Sequence, residues 1–170
     1  PRMALYMAYS RRVYEVYLQF VSKEDIHVYS VDEVFMDLKP YERIYQKSSR
    51  ALAEEICRRV YEEVGMIATV GLGENLYLAK VAMDIEAKHM QASKEGIRLA
   101  MLTEQSYRES LWQHKPLHDF WRIGRGTENR LAHYGIYTMG DIAMAALSGS
   151  KEKKNQVLLY KLFGIQAELL

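Results

Sequence analysis

Cysteine is nearly absent: Cys57 stands alone in a chain of 170 residues. No internal disulfide can form, and zinc clusters built on several thiolates are excluded. Cys57 falls on the apolar side of a helical pattern, where packing is its expected role. Long hydrophobic runs are missing too; none approaches the roughly 18 residues that a membrane-spanning helix requires. No secretory signal pattern is visible. A cytoplasmic location and no membrane partner are therefore expected. The histidines His27, His89, His114, His118 and His133 lack the spacing of metal ligands. Charge of one sign is also lacking, with a formal net charge of only +1. A strongly basic balance would announce nucleic acid through the overall field. Here any such contact has to arise from local placement.

What is present is apolar and periodic. Hydrophobic residues make up 49% of the chain, enough for a globular protein of one or two small domains. Residues 3–20 read as a helix. Residues 26–38 read as two short strands around a reversal at Asp32-Glu33. The clearest helix covers 44–64, where Leu52, Ile56, Val60 and Val64 repeat every fourth residue. Gly65 suits its C-terminal cap. Ile67 to Leu72 is rich in β-formers and reads as a strand. Residues 75–88 read as a helix, followed by a loop at Gly96 and a strand at Ile97 to Leu99. This succession predicts an antiparallel sheet with helices on one face. From Thr103 onward the pattern is helical. Thr103 caps a helix to Leu111, Pro116 starts another, and Thr127 caps 128–134, which Gly135 ends. Thr138 and Asp141 approximate a capping box, and Lys151 to Leu162 forms a last helix. The two parts divide near 102–104. Trp112, Trp121, Met36, Met66, Met83 and Met101 read as packing residues.

The stretch Val28 to Asp37 carries the chemistry. Asp32 and Glu33 are adjacent carboxylates inside a β-prone, apolar run. On a regular strand they would point to opposite faces, whereas a tight reversal lets both leave the sheet on one side. Uncompensated, they repel each other and lose hydration. A hard divalent cation removes both problems, and Mg²⁺ prefers oxygen ligands. A polar hairpin turn is the competing reading of the dipeptide alone. Ser30 is placed to orient the turn by hydrogen bonding, and Asp37, further down the strand, reads as structural. Lys80 and Lys88 are two helical turns apart and share a face. Gly71 and Gly73 read as close backbone packing against the catalytic hairpin rather than as a nucleotide loop.

Ser30 to Asp37 resembles the Ser-x-Asp-Glu-x-(aromatic)-x-Asp palm signature of Y-family, lesion-bypass DNA polymerases. Two further blocks agree in order. Thr69 to Asn75 with Leu78-Ala79-Lys80-Val81-Ala82 is similar to the Val-Gly-Ile-(Gly/Ser)-x-Asn…Leu-Ala-Lys-x-Ala segment of that family. Phe120 to Thr127, with Leu131, Gly135, Ile136, Thr138 and Gly140 to Ala143, is similar to its thumb. The resemblance covers roughly residues 1 to 165. It points most closely to the ImpB/MucB/SamB, UmuC-like branch associated with repair of UV damage. It implies an α+β fold: a partial palm over 1–102, with an antiparallel sheet and packed helices, then a small all-helical thumb over 103–170 with a helix-hairpin-helix element.

The resemblance also implies roles. Asp32 and Glu33 would be catalytic metal ligands for two Mg²⁺ ions about 3.5–4 Å apart, with Asp32 bridging and Glu33 holding the ion beside the primer 3′-OH. Lys88 would face the terminal phosphate of a deoxynucleoside triphosphate. Lys80 would assist it, contact the DNA backbone or serve structure. The segment Asp84-Ile85-Glu86-Ala87-Lys88 is one residue longer than the usual Asp-x-Ala-Lys, which bears on where Lys88 points. Arg122, Gly124, Arg125, Gly126 and Thr127 would grip primer-template DNA through its phosphates, without reading sequence. Many relatives carry Gly where Arg122 stands. The Asp-x-(Asp/Asn)-x-(Phe/Tyr) motif that supplies the family's first metal-binding Asp does not precede Asp32. Fingers, little finger and the tail that binds a sliding clamp are expected outside these residues. The implied activity is nucleotidyl transfer in damage tolerance and the SOS response, with this chain inactive alone. Rival readings are a palm-type nucleotide cyclase, which has no need of a duplex-gripping thumb, and a non-enzymatic helix-hairpin-helix module, in which Asp32 and Glu33 would repel phosphate.

Overall fold

The computed structural model describes residues 2–147 and 153–169, with side chains excluded at 153–157 and 169. The chain opens with α1 (Met3–Tyr17), then β1 (Ile26–Val28) and β2 (Val34–Met36). Next come α2 (Lys39–Tyr45), α3 (Ser49–Val64) and β3 (Ala68–Gly73). The helix expected over 44–64 is α3, which starts later, at Ser49; Ile44 and Tyr45 close α2 instead. Glu42 accepts hydrogen bonds from the Ser49 N–H and hydroxyl, and Ser48 accepts one from the Ala51 N–H. These polar side chains offer the backbone a cap in place of another helical turn. Gln46 takes a left-handed conformation, φ 51°, between the two helices. α3 then buries Leu52, Ala53, Ile56, Cys57 and Val60 on one face and ends at Gly65, φ +75°. Cys57 packs in the core, as its position in the pattern predicts.

The helix expected over 75–88 changes character partway. Asn75 caps α4 (Leu76–Val81) by accepting from the Leu78 N–H. A π-helical turn, Ala82–Glu86, follows, and then a 3₁₀ turn, Ala87–His89. The chain returns in β4 (Ile97–Leu102), longer than expected. β4 pairs parallel with β3, from Ala68 opposite Ile97 to Gly73 opposite Leu102. The antiparallel expectation thus holds for β1 and β2, with Ile26 opposite Met36, and fails for β3 and β4. The cause is the helical crossover, which carries the chain back before the second strand begins. The two pairs form separate sheets. Between them lies a cavity of about 160 Å³ whose walls include Val34 to Met36 of β2 and Ala68 to Leu72 of β3.

The remaining elements are helical: α5 (Glu104–Leu111), α6 (Arg125–Ala132), α7 (Met139–Leu147) and α8 (Lys153–Phe163). Thr103 caps α5 in a reciprocal box with Ser106. Thr138 and Asp141 exchange the two hydrogen bonds of the expected capping box. Thr127 does not cap a helix. Gly124 holds that position for α6, and Thr127 lies inside it. The expected last helix agrees with α8, though Lys151 and Glu152 lie outside the described residues. Met66 and Met101 are exposed rather than packed. One apolar cluster joins α1, α3, β1 and β4 through Val16, Leu52, Ile26 and Leu99. A second joins Leu78, Val81 and Leu102 to Leu117, Phe120 and Leu131, so apolar packing crosses the 102–103 junction.

Gly71 and Gly73 do pack closely, but against α4 and the π turn rather than against the β1–β2 reversal. A Cβ at Gly71 would lie 2.0 Å from the Ala79 carbonyl oxygen and 2.4 Å from the Met83 nitrogen. Gly71→Ala should therefore cost about 3 kcal/mol, since backbone must move to admit the methyl group. The check is a denaturant midpoint measured beside Gly124→Ala, where an added Cβ meets nothing within 4 Å. The control should stay within about 0.5 kcal/mol.

Candidate active site and DNA-contact hairpin

The reversal between β1 and β2 is closed by the Glu33 carbonyl, which accepts from the N–H groups of Tyr29 (3.0 Å) and Ser30 (3.1 Å). The Ser30 hydroxyl donates to Asp32 Oδ1 at 2.8 Å. Ser30 thus orients the turn through its side chain, the role its position suggests. Asp37 accepts from the Lys39 N–H at 3.0 Å and belongs to the backbone turn before α2. Asp32 and Glu33 both reach the wall of the cavity between the two sheets. The reversal therefore does what a regular strand could not: both carboxylates face one space.

Glu33 does not face that space unpaired. Lys80 Nζ lies 2.7 Å from Glu33 Oε1 and 3.1 Å from Asp84 Oδ2, and its side chain is only 8% exposed. The ammonium also sits 5.7 Å from the centre of the Tyr29 ring. Burial alone would lower the Lys80 pKa, but hydrogen bonds to Glu33 and Asp84 outweigh it and hold the group above its ordinary range. Lys88 Nζ lies 2.6 Å from Asp84 Oδ1 and 3.9 Å from Glu33 Oε1. Both predicted lysines therefore converge on the predicted carboxylate. The π turn explains why the longer Asp84 to Lys88 spacing does not turn Lys88 away. A wider turn absorbs one added residue and leaves the phase of its flanks intact. Asp84 is the member of this cluster that sequence reasoning missed. Its signal was the i,i+4 spacing to both lysines.

Among the described residues, no group of three His, Cys, Asp or Glu side chains is disposed to hold a metal ion. Asp32 and Glu33 supply two hard oxygen donors at the edge of the cavity. That set fits Mg²⁺ held jointly with substrate oxygens and water, the usual situation for this ion, and falls short of a closed protein cage.

A second missed feature links this site to the helical part. Trp121 is half-buried at the seam rather than in the core. Its Nε1 donates to the Tyr29 hydroxyl at 3.1 Å. Its ring lies 5.9, 6.1 and 6.4 Å from those of Tyr29, Phe35 and Tyr77. Trp112, also half-buried, does pack against the helical core. Beyond Trp121, Arg122 has φ +73° and its guanidinium stacks 5.0 Å from the Trp121 ring centre. Gly124, Arg125 and Gly126 are exposed and Thr127 is half-buried. Side chains cap α3, α4 and α5, but none caps α6. A Cβ at Gly124 or Gly126 would meet nothing within 4 Å, so the folded chain itself does not require glycine there. The bare helix start suits an external anion such as a phosphate. Glu128 braces it from below, accepting from the Leu117 N–H at 2.9 Å and lying 2.5 Å from His118 Nδ1. His118 holds the Glu128 pKa below its ordinary value.

The chain is similar to known proteins in sequence and in fold. The impB/mucB/samB family matches residues 1–84. UvrX of Bacillus subtilis, whose name ties it to UV-damage repair, is 32% identical over the whole chain, and the match covers 36% of UvrX. DNA polymerase IV 2 of the same organism is 30% identical over 90% of the chain and is covered over 35% of its length. The chain thus spans about a third of the length of these curated relatives. Among solved structures, DinB from Sulfolobus solfataricus superposes over 99% of the chain and 44% of its own, with TM-score 0.70 and 23% identity. An insertion ternary complex of Dbh DNA polymerase gives TM-score 0.72 and 22% identity over 99% of the chain and 43% of its own. At that identity the structures establish a shared fold.

The left-handed backbone at Arg122 yields a direct test. A non-glycine residue there carries a cost of order 1–3 kcal/mol. Glycine removes that cost, loses the Arg122–Trp121 stack and loosens the unfolded chain by up to about 1 kcal/mol. Arg122→Gly should leave a net gain of about 1 kcal/mol, read as a raised denaturant midpoint at unchanged slope. A loss of stability would show that the stack outweighs the strain.

Proposed function

Since residues 1–84 match the impB/mucB/samB family, we propose that the chain forms the palm and thumb of a Y-family, lesion-bypass DNA polymerase. The observation that carries this reading is the placement of Asp32, Glu33 and Lys80 on the wall of one cavity, with Lys88 3.9 Å from Glu33. The palm runs through residue 102 and the thumb, with its helix-hairpin-helix element, from 103. Asp32 and Glu33 would hold the divalent metal, supplying two hard oxygen donors at the edge of the cavity. When bound, such ions make the primer hydroxyl a better nucleophile and stabilise charge on the leaving pyrophosphate. Ser30 keeps Asp32 aimed through the hydrogen bond at 2.8 Å. Lys88, half-exposed, turns to the terminal phosphate of a deoxynucleoside triphosphate, while Lys80 stays as the buried counterion of Glu33.

Duplex DNA lies along Arg122, Gly124, Arg125, Gly126 and Thr127, where backbone N–H groups and two arginines meet phosphates without reading bases. Contact with a sliding clamp would come from regions outside these residues. No helix among the described residues is long and apolar enough to cross a membrane.

The test is primer extension by a chimera in which this chain replaces its counterpart in DNA polymerase IV 2 of Bacillus subtilis. The chimera should extend a primer, and Asp32→Ala or Glu33→Ala should each lower the rate by at least about 100-fold with DNA affinity retained. The isolated chain should not extend. Full extension by Asp32→Ala at saturating Mg²⁺ would refute the metal assignment. DNA binding with no extension by the unmutated chimera would favour the non-enzymatic module.

A further inference from the structure

Asp84 joins the two lysines and has no part in the reading above. Its Oδ2 lies 3.1 Å from Lys80 Nζ and its Oδ1 lies 2.6 Å from Lys88 Nζ. The two lysines differ in freedom. Lys80 is 8% exposed and held also by Glu33, whereas Lys88 is 49% exposed. Two carboxylates and two ammonium groups form a cluster that is neutral as a whole. Such a cluster gives an arriving anion little net attraction until one ion pair opens. The pair that can open is Lys88–Asp84, because its lysine is half in water and has four rotatable carbons. Opening it leaves Asp84 paired with Lys80, so no buried charge is stranded. The π turn Ala82–Glu86 carries Asp84 and sets Lys88 one turn beyond it.

We propose that Asp84 is a positioning residue that acts as the resident anion of Lys88 and is displaced by the triphosphate. In the empty site Asp84 keeps the Lys88 ammonium beside Glu33. When a triphosphate enters, Lys88 transfers from Asp84 to a phosphate oxygen, and when pyrophosphate leaves, Asp84 takes the lysine back. Asp84 therefore weakens triphosphate binding and eases product release, while keeping the lysine aimed. The proposal rests on the assignment of Lys88 to the phosphates, and the experiment separates the two.

The probe is inorganic triphosphate with Mg²⁺, titrated into the 170-residue chain carrying ¹³C-labelled lysine and followed at the Lys88 Cε resonance. The unmutated chain should show a saturable shift. Asp84→Asn, which keeps an oxygen acceptor but removes the charge, should bind about threefold more tightly, since an exposed ion pair is worth up to about 1 kcal/mol. Asp84→Ser should do the same, which guards against a misfolded asparagine variant. A purely structural role for Asp84 predicts equal or weaker binding in both, and that result would overturn the proposal. Lys88→Met should abolish saturable binding in the unmutated and Asp84→Asn backgrounds alike. If binding survives Lys88→Met, the phosphate role of Lys88 fails, and the exchange fails with it.

Discussion

A buried ammonium between two carboxylates holds the site together. Lys80 meets Glu33 from the β1–β2 reversal and Asp84 from the π turn after α4, at 2.7 and 3.1 Å. Desolvating a charge is costly unless it is paired and hydrogen-bonded, so each partner constrains the others. The reversal cannot turn away without costing Lys80 the shorter of its two ion pairs. The helix cannot slide along β3 without separating Lys80 from Glu33. Gly71 and Gly73 admit the helix backbone close enough for this contact to form, because a Cβ at either would collide with Ala79 or Leu78. The ion pair and the glycines are two halves of one constraint on how α4 crosses the sheet.

The same constraint extends to the helical part through rings rather than charges. The Tyr29 ring lies under Lys80, and the Tyr29 hydroxyl accepts from Trp121. Trp121 in turn stacks under Arg122 at the start of the glycine-rich hairpin. The carboxylates and the bare N-terminus of α6 are therefore joined by a short relay of contacts. For a Y-family polymerase this arrangement makes sense physically. In the function proposed, the thumb would grip DNA phosphates without reading them, so its value would lie in where it delivers the primer end. Aromatic contacts that tie the helical part to the β1–β2 reversal would set that delivery.

Much of this was legible in the residues. Asp32 and Glu33 stood out as acids in an apolar strand, and the pattern of α3 follows its leucine and isoleucine spacing. Thr138 with Asp141 announced a cap that forms as expected. The failures have separate physical causes. The helix expected over 44–64 starts at Ser49 because Glu42 and Ser48 supply local caps that periodicity does not register. The sheet order was misjudged because short strands do not encode direction, and the helical crossover decides it. Thr127 lost its capping role because a glycine three residues earlier starts the helix. Trp121 looked like core from composition, yet its indole N–H found a partner only across the seam. The π turn was visible only as an added residue, and its geometry depends on packing against β3 and β4.

The most direct measurement is a double-mutant cycle on Lys80 and Glu33, using Lys80→Met and Glu33→Gln with unfolding free energies from denaturant titration. If the buried ammonium organises the β1–β2 reversal, the two losses should be non-additive, with a coupling of about 1 kcal/mol or more. Additive losses, within about 0.5 kcal/mol, would mean that Lys80 and Glu33 are neighbours without energetic linkage. The reversal would then owe its geometry to its backbone hydrogen bonds alone.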